Sequence, residues 1–458
     1  MHNPVVAGSD PRRVFAVGAA YDGAGRFVDG AELFVEGAAL VRLLARGDRG
    51  AEAERLRRRF EGARRIEVAD GLALPGLINC HHHAYSAFAR GVPIRGPMAD
   101  FPSVLENLWW GLDRALDADS VRLSGLVTAL ESVRRGCTTV VDHHSSPRCV
   151  RGSLAALAGA FDAFSMTSVL CFETSDRNGA AVLDESVEEN LEFAAAHAGA
   201  PRSRGLFGLH AGFTLSRATL ERLARAVPEG LPIHVHVAED RCDAEHARAE
   251  GFAGPLDRLA ALGVLRRRSL LGHCVHLADA ELPLVAAHDA FVAHNPESNL
   301  NNAVGCADLD RLPPERLLIG TDGMGPDALG AARIAFLAYK GLGRGTRDPL
   351  ELARRMLFAN PSAYLSALFG RPVGRIAEGA PADFAIFDYP APTPIGADNV
   401  LGHLLYGLAP APPAAWVYAN GTPVVEAGRV TAVDERALLD EARAAAAGVW
   451  RRYTEQVR

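Results

Sequence analysis

A chain of 458 residues exceeds one typical hydrophobic core and calls for two domains, or for a barrel with an appended part. With 48% apolar residues, 22% charged residues and a formal net charge of -7, it has the makeup of a soluble globular protein and lacks the basic footprint of a nucleic-acid binder. No apolar stretch is long enough to span a bilayer, and residues 1–13 lack a signal-peptide core.

In chain order, residues 14–70 hold short β-like stretches at 14–20, 31–35, 39–45 and 65–68, some separated by glycine turns such as Asp22-Gly23-Ala24-Gly25. From about Gly71 short apolar strands alternate with segments of helical period. Strands are expected at 74–78, 138–142, 168–172, 206–210, 233–237, 269–273, 290–294 and 317–321. Helices are expected at 119–135, 154–164, 186–198, 216–227, 255–265, 282–288 and 329–342. This is the pattern of an α/β protein built as a (β/α)8 TIM-like barrel. After about Gly374 the chain becomes β-like again at 374–377, 384–387, 415–418 and 423–426, with Asn420-Gly421 as a hairpin turn and a final helix at 434–456. The expected organisation is a barrel over 71–373, interrupting a small β-sandwich domain made from 1–70 and 374–458.

The 7 cysteines show no C-x-x-C spacing, and Cys80, Cys137, Cys171 and Cys274 sit in apolar runs. They are expected to be free thiols in a reducing cytoplasm.

In a barrel the active site forms at the C-terminal strand ends. The drawn strands end on, or lead into, His81 and His83, Asp142-His143-His144, Glu173, His210, His236, His273, His294 and Asp322. Two imidazoles two residues apart on a strand point the same way, so His81 and His83 can address one ion. In Ile233-His234-Val235-His236, His236 is nearer the strand end and is taken as a ligand; His234 is read as a satisfied interior histidine. Asp322, after the last strand and flanked by glycines, completes a set suited to one divalent ion, Zn2+ first, with Fe2+ or Mn2+ also able to use it. Glu239 either turns back over the site or serves as a helix-start carboxylate. His273 falls between His236 and Asp322, to bind substrate or polarise water; His276 is read as structural.

The motifs Pro75-Gly76-Leu77-Ile78-Asn79 with His81 and His83, then His236-Val237-Ala238-Glu239, His273-Cys274-Val275-His276-Leu277, His294-Asn295-Pro296-Glu297-Ser298-Asn299 and Gly320-Thr321-Asp322-Gly323 resemble the amidohydrolase superfamily. The likeness is strongest to its chlorohydrolase/deaminase (ATZ/TRZ-like) branch. The stretches 106–113, 139–144, 173–179 and 295–302 are similar to SsnA-type aminohydrolases. The resemblance implies His81, His83, His236 and Asp322 as metal ligands, Glu239 as proton shuttle, His273 as the group that orients water or substrate, and His210 at the substrate. His82 departs from the pattern; strand geometry turns it away from the metal, and a ligand set using it stays open. Two-metal members use a lysine on the fourth strand. Here 206–210 has none and the sole lysine, Lys340, lies beyond the last strand, which points to one ion.

The resemblance implies a metal-dependent aminohydrolase that attacks a C–N bond of a nitrogen heterocycle with activated water, the pKa of which a metal lowers from roughly 15.7 towards about 7. Asp322 then takes a proton, His273 stabilises the adduct and Glu239 acts as general acid. Ring-opening cyclic amide hydrolysis is the alternative, with chloride release and a catalytically dead scaffold behind it. Trp109, Arg177 and His210 are candidate substrate contacts. Trp109 and Trp110 equally suit loop packing or a dimer contact, and Arg177 a pair with Asp176 or Glu173. The expected partner is a small molecule, with no nucleic acid or membrane, and the chain is expected to form a homo-oligomer.

Overall fold

A computed structural model describes residues 11–342, 345–410 and 413–456. The reading of residues 1–13 thus lies mostly outside the described residues. The first segment forms β1 (Arg12–Tyr21), β2 (Phe27–Glu36) and β3 (Ala39–Ala45), then the helix Ala51–Arg59 and β4 (Arg64–Pro75). The turn into β2 is held by Asp22 Oδ1, which accepts from the backbone N–H of Ala24 (2.7 Å) and Arg26 (3.0 Å).

The expected strand over 74–78 is two strands. Leu74 and Pro75 end β4, and β5 (Leu77–His82) opens the barrel. Proline supplies no N–H to continue a ladder. Gly76 passes so close to Thr138 Oγ1 and Asp383 Oδ1 that a Cβ would overlap both. The apolar run is continuous, but the break falls at the one pair of residues that lets the chain cross between sheets.

The barrel continues with β6 (Cys137–His144), β7 (Thr167–Phe172), β8 (Ser203–Gly205), β9 (Phe207–Ala211), β10 (Ile233–Val237), β11 (Leu270–His273), β12 (Phe291–His294) and β13 (Leu317–Ile319). The fourth barrel position is split: β8 pairs with β7, and β9 pairs with β10. Parallel bridges Thr174–Leu209 and His82–Asp322 join the two resulting sheets and close an α/β barrel. Helices follow the strands, as in Ala118–Arg134, where Asp117 and Ser120 form a capping box.

Strand side chains divide into two layers. Leu77, Val140, Val235 and Leu271 face the helices in the main core. Ile78, Val141, Val169, Leu270 and Leu318 form a separate interior cluster, packed against Tyr364, Leu365 and Phe369 of the helix Asn360–Phe369. This apolar floor leaves the polar strand ends as the other end of the barrel.

The chain then adds β14 (Phe384–Asp388), β15 (Trp416–Ala419), β16 (Thr422–Glu426) and β17 (Arg429–Val430). Both chain ends meet in one eight-stranded sheet of order β17-β16-β15-β14-β4-β1-β2-β3. Phe15, Phe384 and Tyr418 pack together in its core, with ring centroids 5.1–5.2 Å apart. Residues 374–377 are irregular rather than a strand: Gly374 takes a left-handed φ of 69°. The final helix is Glu435–Glu455, capped by Asp434. No helix among the described residues is long and apolar enough to cross a membrane.

Candidate metal centre and active site

Period two along β5 sets Asn79, His81 and the following His83 on one side. His82 turns away, with Nδ1 3.0 Å from Thr321 Oγ1. His83 Nε2 lies 3.2 Å from His236 Nε2 and 2.8 Å from Asp322 Oδ1, and His81 Nε2 lies 3.1 Å from the same oxygen. These four residues, all buried, offer ligand atoms within 4.8 Å of one another.

The far ring nitrogens explain the convergence. His83 Nδ1 donates to the His143 carbonyl at 2.5 Å, and His236 Nδ1 to the His210 carbonyl at 2.8 Å. His81 Nδ1 lies 2.8 Å from His234 Nε2. With a proton on each Nδ1, every Nε2 lone pair faces the same point. Three neutral imidazoles and a carboxylate fit a divalent ion of zinc type. His83, His143, Glu173 and His236 also cluster, but they share His83 and His236 with the first set.

Backbone strain gathers here. Ala238, His273, Cys274 and Asp322 all take positive φ, 49–69°, without being glycine. Such conformations cost free energy and persist where the surroundings over-determine them. Asp322 is fixed by Ser298 Oγ, which donates to Oδ2. Gly320 lets the chain pass His81, because a Cβ there would overlap Asn295 Oδ1 and lie 2.7 Å from His81 Cβ.

Glu239 does not cap the helix that follows it. Asp240 takes that place, accepting from Cys242 N at 2.9 Å for the helix Arg241–Ala249. Glu239 is left facing the cavity, with Oε2 3.4 Å from His273 Nε2 and Oε1 accepting from Asn302 Nδ2 at 3.3 Å. Burial pushes its carboxyl up to about 7, against the opposing pull of His273. His273 Nδ1 is held 2.7 Å from Asn299 Oδ1. His276 Nε2 lies 2.8 Å from the Val304 carbonyl, outside the cluster.

A cavity opens beside these groups, lined among others by Trp109, Trp110, His210, Glu173 and Phe213. Trp109 covers Gly323, where a Cβ would sit 2.6 Å from the indole. It stands on a π-helical turn, Leu105–Trp109, a local irregularity common at functional sites. Arg177 is not among the lining residues. It lies behind Trp110, 5.0 Å from the ring, and pairs with Asp113 at 3.0 Å. Glu173 is farther, at 3.9 Å, and Asp176 instead accepts from Ser216 N at 2.6 Å.

Sequence reading missed Asp113, Tyr85, Phe101 and Leu105 as cavity residues, and Asn299 and Asn302 as supports. Asn302 had a signal: after β12, the helix Pro296–Asn301 and its end place it four residues from Ser298, on one face.

Residues 72–430 match the model described as the amidohydrolase family. A "5-methylthioadenosine/S-adenosylhomocysteine deaminase" of Desulforudis audaxviator is 28% identical over 409 residues, covering 87% of this chain and 90% of its own. A "5'-deoxyadenosine deaminase" of Methanopyrus kandleri is 26% identical over 389 residues, covering 82% and 86%. Among solved structures, an adenosine deaminase from Xanthomonas campestris with bound zinc superposes with a TM-score of 0.78 at 22% identity, covering 97% of this chain and 98% of that one. Atrazine chlorohydrolase from Arthrobacter aurescens TC1 with zinc gives 0.75 at 21%, covering 95% and 100%.

Proposed function

Because the chain belongs to the amidohydrolase family, we propose that its centre deaminates a nitrogen heterocycle by hydrolysis. The enzyme is a hydrolase acting on carbon–nitrogen bonds other than peptide bonds. The observation that carries the reading is the convergence of three imidazole Nε2 atoms and Asp322 beside a buried Glu239 whose carboxyl burial pushes up to about 7, at the wall of a cavity open to solvent.

His81, His83, His236 and Asp322 hold one ion, with zinc favoured by the donor set and iron or manganese able to use the same groups. When bound, that ion supplies the acidity that makes water a nucleophile near neutral pH. Asp322 takes the water proton, its orientation kept by Ser298. His273 Nδ1 faces the acceptor Asn299 Oδ1, so a neutral ring carries its proton there and turns the Nε2 lone pair to the cavity, where it can accept from the attacking water and orient it. Glu239 delivers a proton to the ring or departing nitrogen. His210 and Trp109 form walls of the substrate site, and Arg177 enters through Asp113.

Residues 1–70 and 374–458 form one small β-sandwich domain in this reading, interrupted by a barrel over 71–373. The seven unpaired cysteines accord with a reducing, cytoplasmic setting, and we take the chain to act as a homo-oligomer.

The test is ammonia release from purines, pyrimidines and cyclic ureides by zinc-loaded protein. Loss of ring absorbance without ammonia would favour ring opening instead. Glu239→Gln should keep its zinc by elemental analysis and lose turnover by about 100-fold or more; near-normal turnover would remove Glu239 from the chemistry.

A further inference from the structure

Six carboxylates line the cavity, and no arginine or lysine does. Four of them have assigned partners or roles. Asp322 and Glu239 belong to the centre described above. Asp240 accepts from Cys242 N, and Asp243 accepts from Ala238 N and Phe213 N. Asp113 and Glu173 remain, with side chains 2% and 3% exposed.

Asp113 is half satisfied, and Glu173 accepts no hydrogen bond among the described residues. Asp113 Oδ2 accepts from Arg177 (3.0 Å) and Ser145 Oγ (2.9 Å). Glu173 Oε2 lies 3.9 Å from the same guanidinium nitrogen and 4.0 Å from His210 Nε2. Asp113 Oδ1 and Glu173 Oε1 are buried and have no hydrogen-bond partner among the described residues. Glu173 Oε1 is 3.3 Å from His83 Nδ1, but that N–H points at the His143 carbonyl. Trp110 Nε1, on the same wall, is likewise buried and unpartnered.

Buried polar atoms in native proteins are normally paired, and a charged one left alone costs more than a neutral one. Here two acceptors and Trp110 Nε1, all on residues that line the cavity, stand open in one corner, and behind them Arg177 Nε and Nη1 are also unpartnered. Arg177 hydrogen-bonds Asp113 but stands 3.9 Å from Glu173, so one oxygen of each carboxylate is left for N–H donors arriving from the cavity. A phosphate or carboxylate would meet like charge. A planar amidine or guanidine edge presents adjacent N–H groups, and a neighbouring ring nitrogen or carbonyl would accept from Trp110.

We propose that Asp113, Glu173 and Trp110 recognise a second, N–H-bearing amidine edge of the substrate, distinct from the C–N bond that is hydrolysed. The assignment rests on the cavity being the substrate site of the deaminase reading. It selects an amino-substituted ring and rejects anionic ones.

The probes are 2,6-diaminopurine and adenine, which differ by one amino group on such an edge. Binding to zinc-loaded protein is followed by calorimetry and by quenching of tryptophan fluorescence. The wild type should bind 2,6-diaminopurine about tenfold or more tightly than adenine, the scale of one hydrogen bond to a charged group. Glu173→Gln and Asp113→Asn should each bring the two purines to within about threefold. Trp110→Phe, which keeps the ring and removes only the N–H, should weaken both purines alike; it serves should either acidic variant misfold. Equal affinity of the wild type for the two purines, or no binding of either, overturns the proposal. Ammonia release is scored separately. A preference without ammonia from any ring sinks the deaminase reading alone, and ammonia without the preference sinks this corner alone.

Discussion

His81 can present its Nε2 lone pair only when its Nδ1 carries the proton, and the group that receives that proton is His234, 2.8 Å away. His234 must then carry its own proton on Nδ1, which faces Cys171 Sγ at 3.6 Å, and that sulfur lies 3.8 Å from the Asp142 carbonyl. His81, His234 and Cys171 are all fully buried, so this chain of contacts is shielded from bulk solvent. His234→Ala should therefore weaken zinc binding by about 10–100-fold, measured by competition with a chelator, and His234→Gln, which restores an acceptor, should recover part of it. At Glu239, burial holds the proton up to about 7. A general acid works while protonated, so turnover should be retained below that pH and fall as pH rises through it, read from kcat against pH. Period two placed His81 and His83 on one face from sequence. Nothing local in Ile233-His234-Val235-His236 says that His234 holds a ligand in place, because its partner comes from a strand 153 residues earlier.

At the scale of elements, the seam between the small sheet and the barrel sits at Pro75-Gly76 and Asp383. Gly76 N–H donates to the Asp383 carbonyl at 3.0 Å, and the Asp383 side chain is buried beside it. Burial pushes this carboxyl from 3.8 up to about 6. A folded value above the unfolded one means that stability is fully present below pH 3.8 and is lost as pH rises through 6. Asp383→Asn should thus raise the unfolding temperature at pH 8 by the equivalent of about 1–3 kcal/mol and leave it little changed at pH 4, as thermal melts at the two pH values would show. The eight barrel strands could be drawn from sequence because each is a short apolar run bounded by helical period. The split at Gly76 is passed over because Leu74 through Ile78 reads as one apolar run; Pro75-Gly76 is its local signal, and the crowding at Thr138 and Asp383 is its tertiary cause.

For the whole molecule, the apolar clusters that hold the barrel do not include the centre's ligands. Metal removal should therefore leave far-UV dichroism intact while it abolishes ammonia release. The unfolding temperature should drop and return with added zinc, since an ion bound only by the folded state stabilises it by about 4 kcal/mol at 1,000 times its Kd; a melting temperature insensitive to chelator would show that the four side chains hold no ion. By itself the sequence determined the α/β barrel and the order of polar strand ends around its mouth, and it supplied the proposed ligand set of His81, His83, His236 and Asp322, which cluster in the fold. Each of these follows from side-chain period within one strand and from the rule that strand ends share one face. Tertiary structure alone decided the strand order in which the two chain ends form a single sheet, the closer pairing of Arg177 with Asp113 than with its neighbour Glu173, and the open polar corner at Trp110 and Glu173. Those outcomes depend on which distant groups are brought within hydrogen-bonding range, and periodicity along a chain carries no information about that.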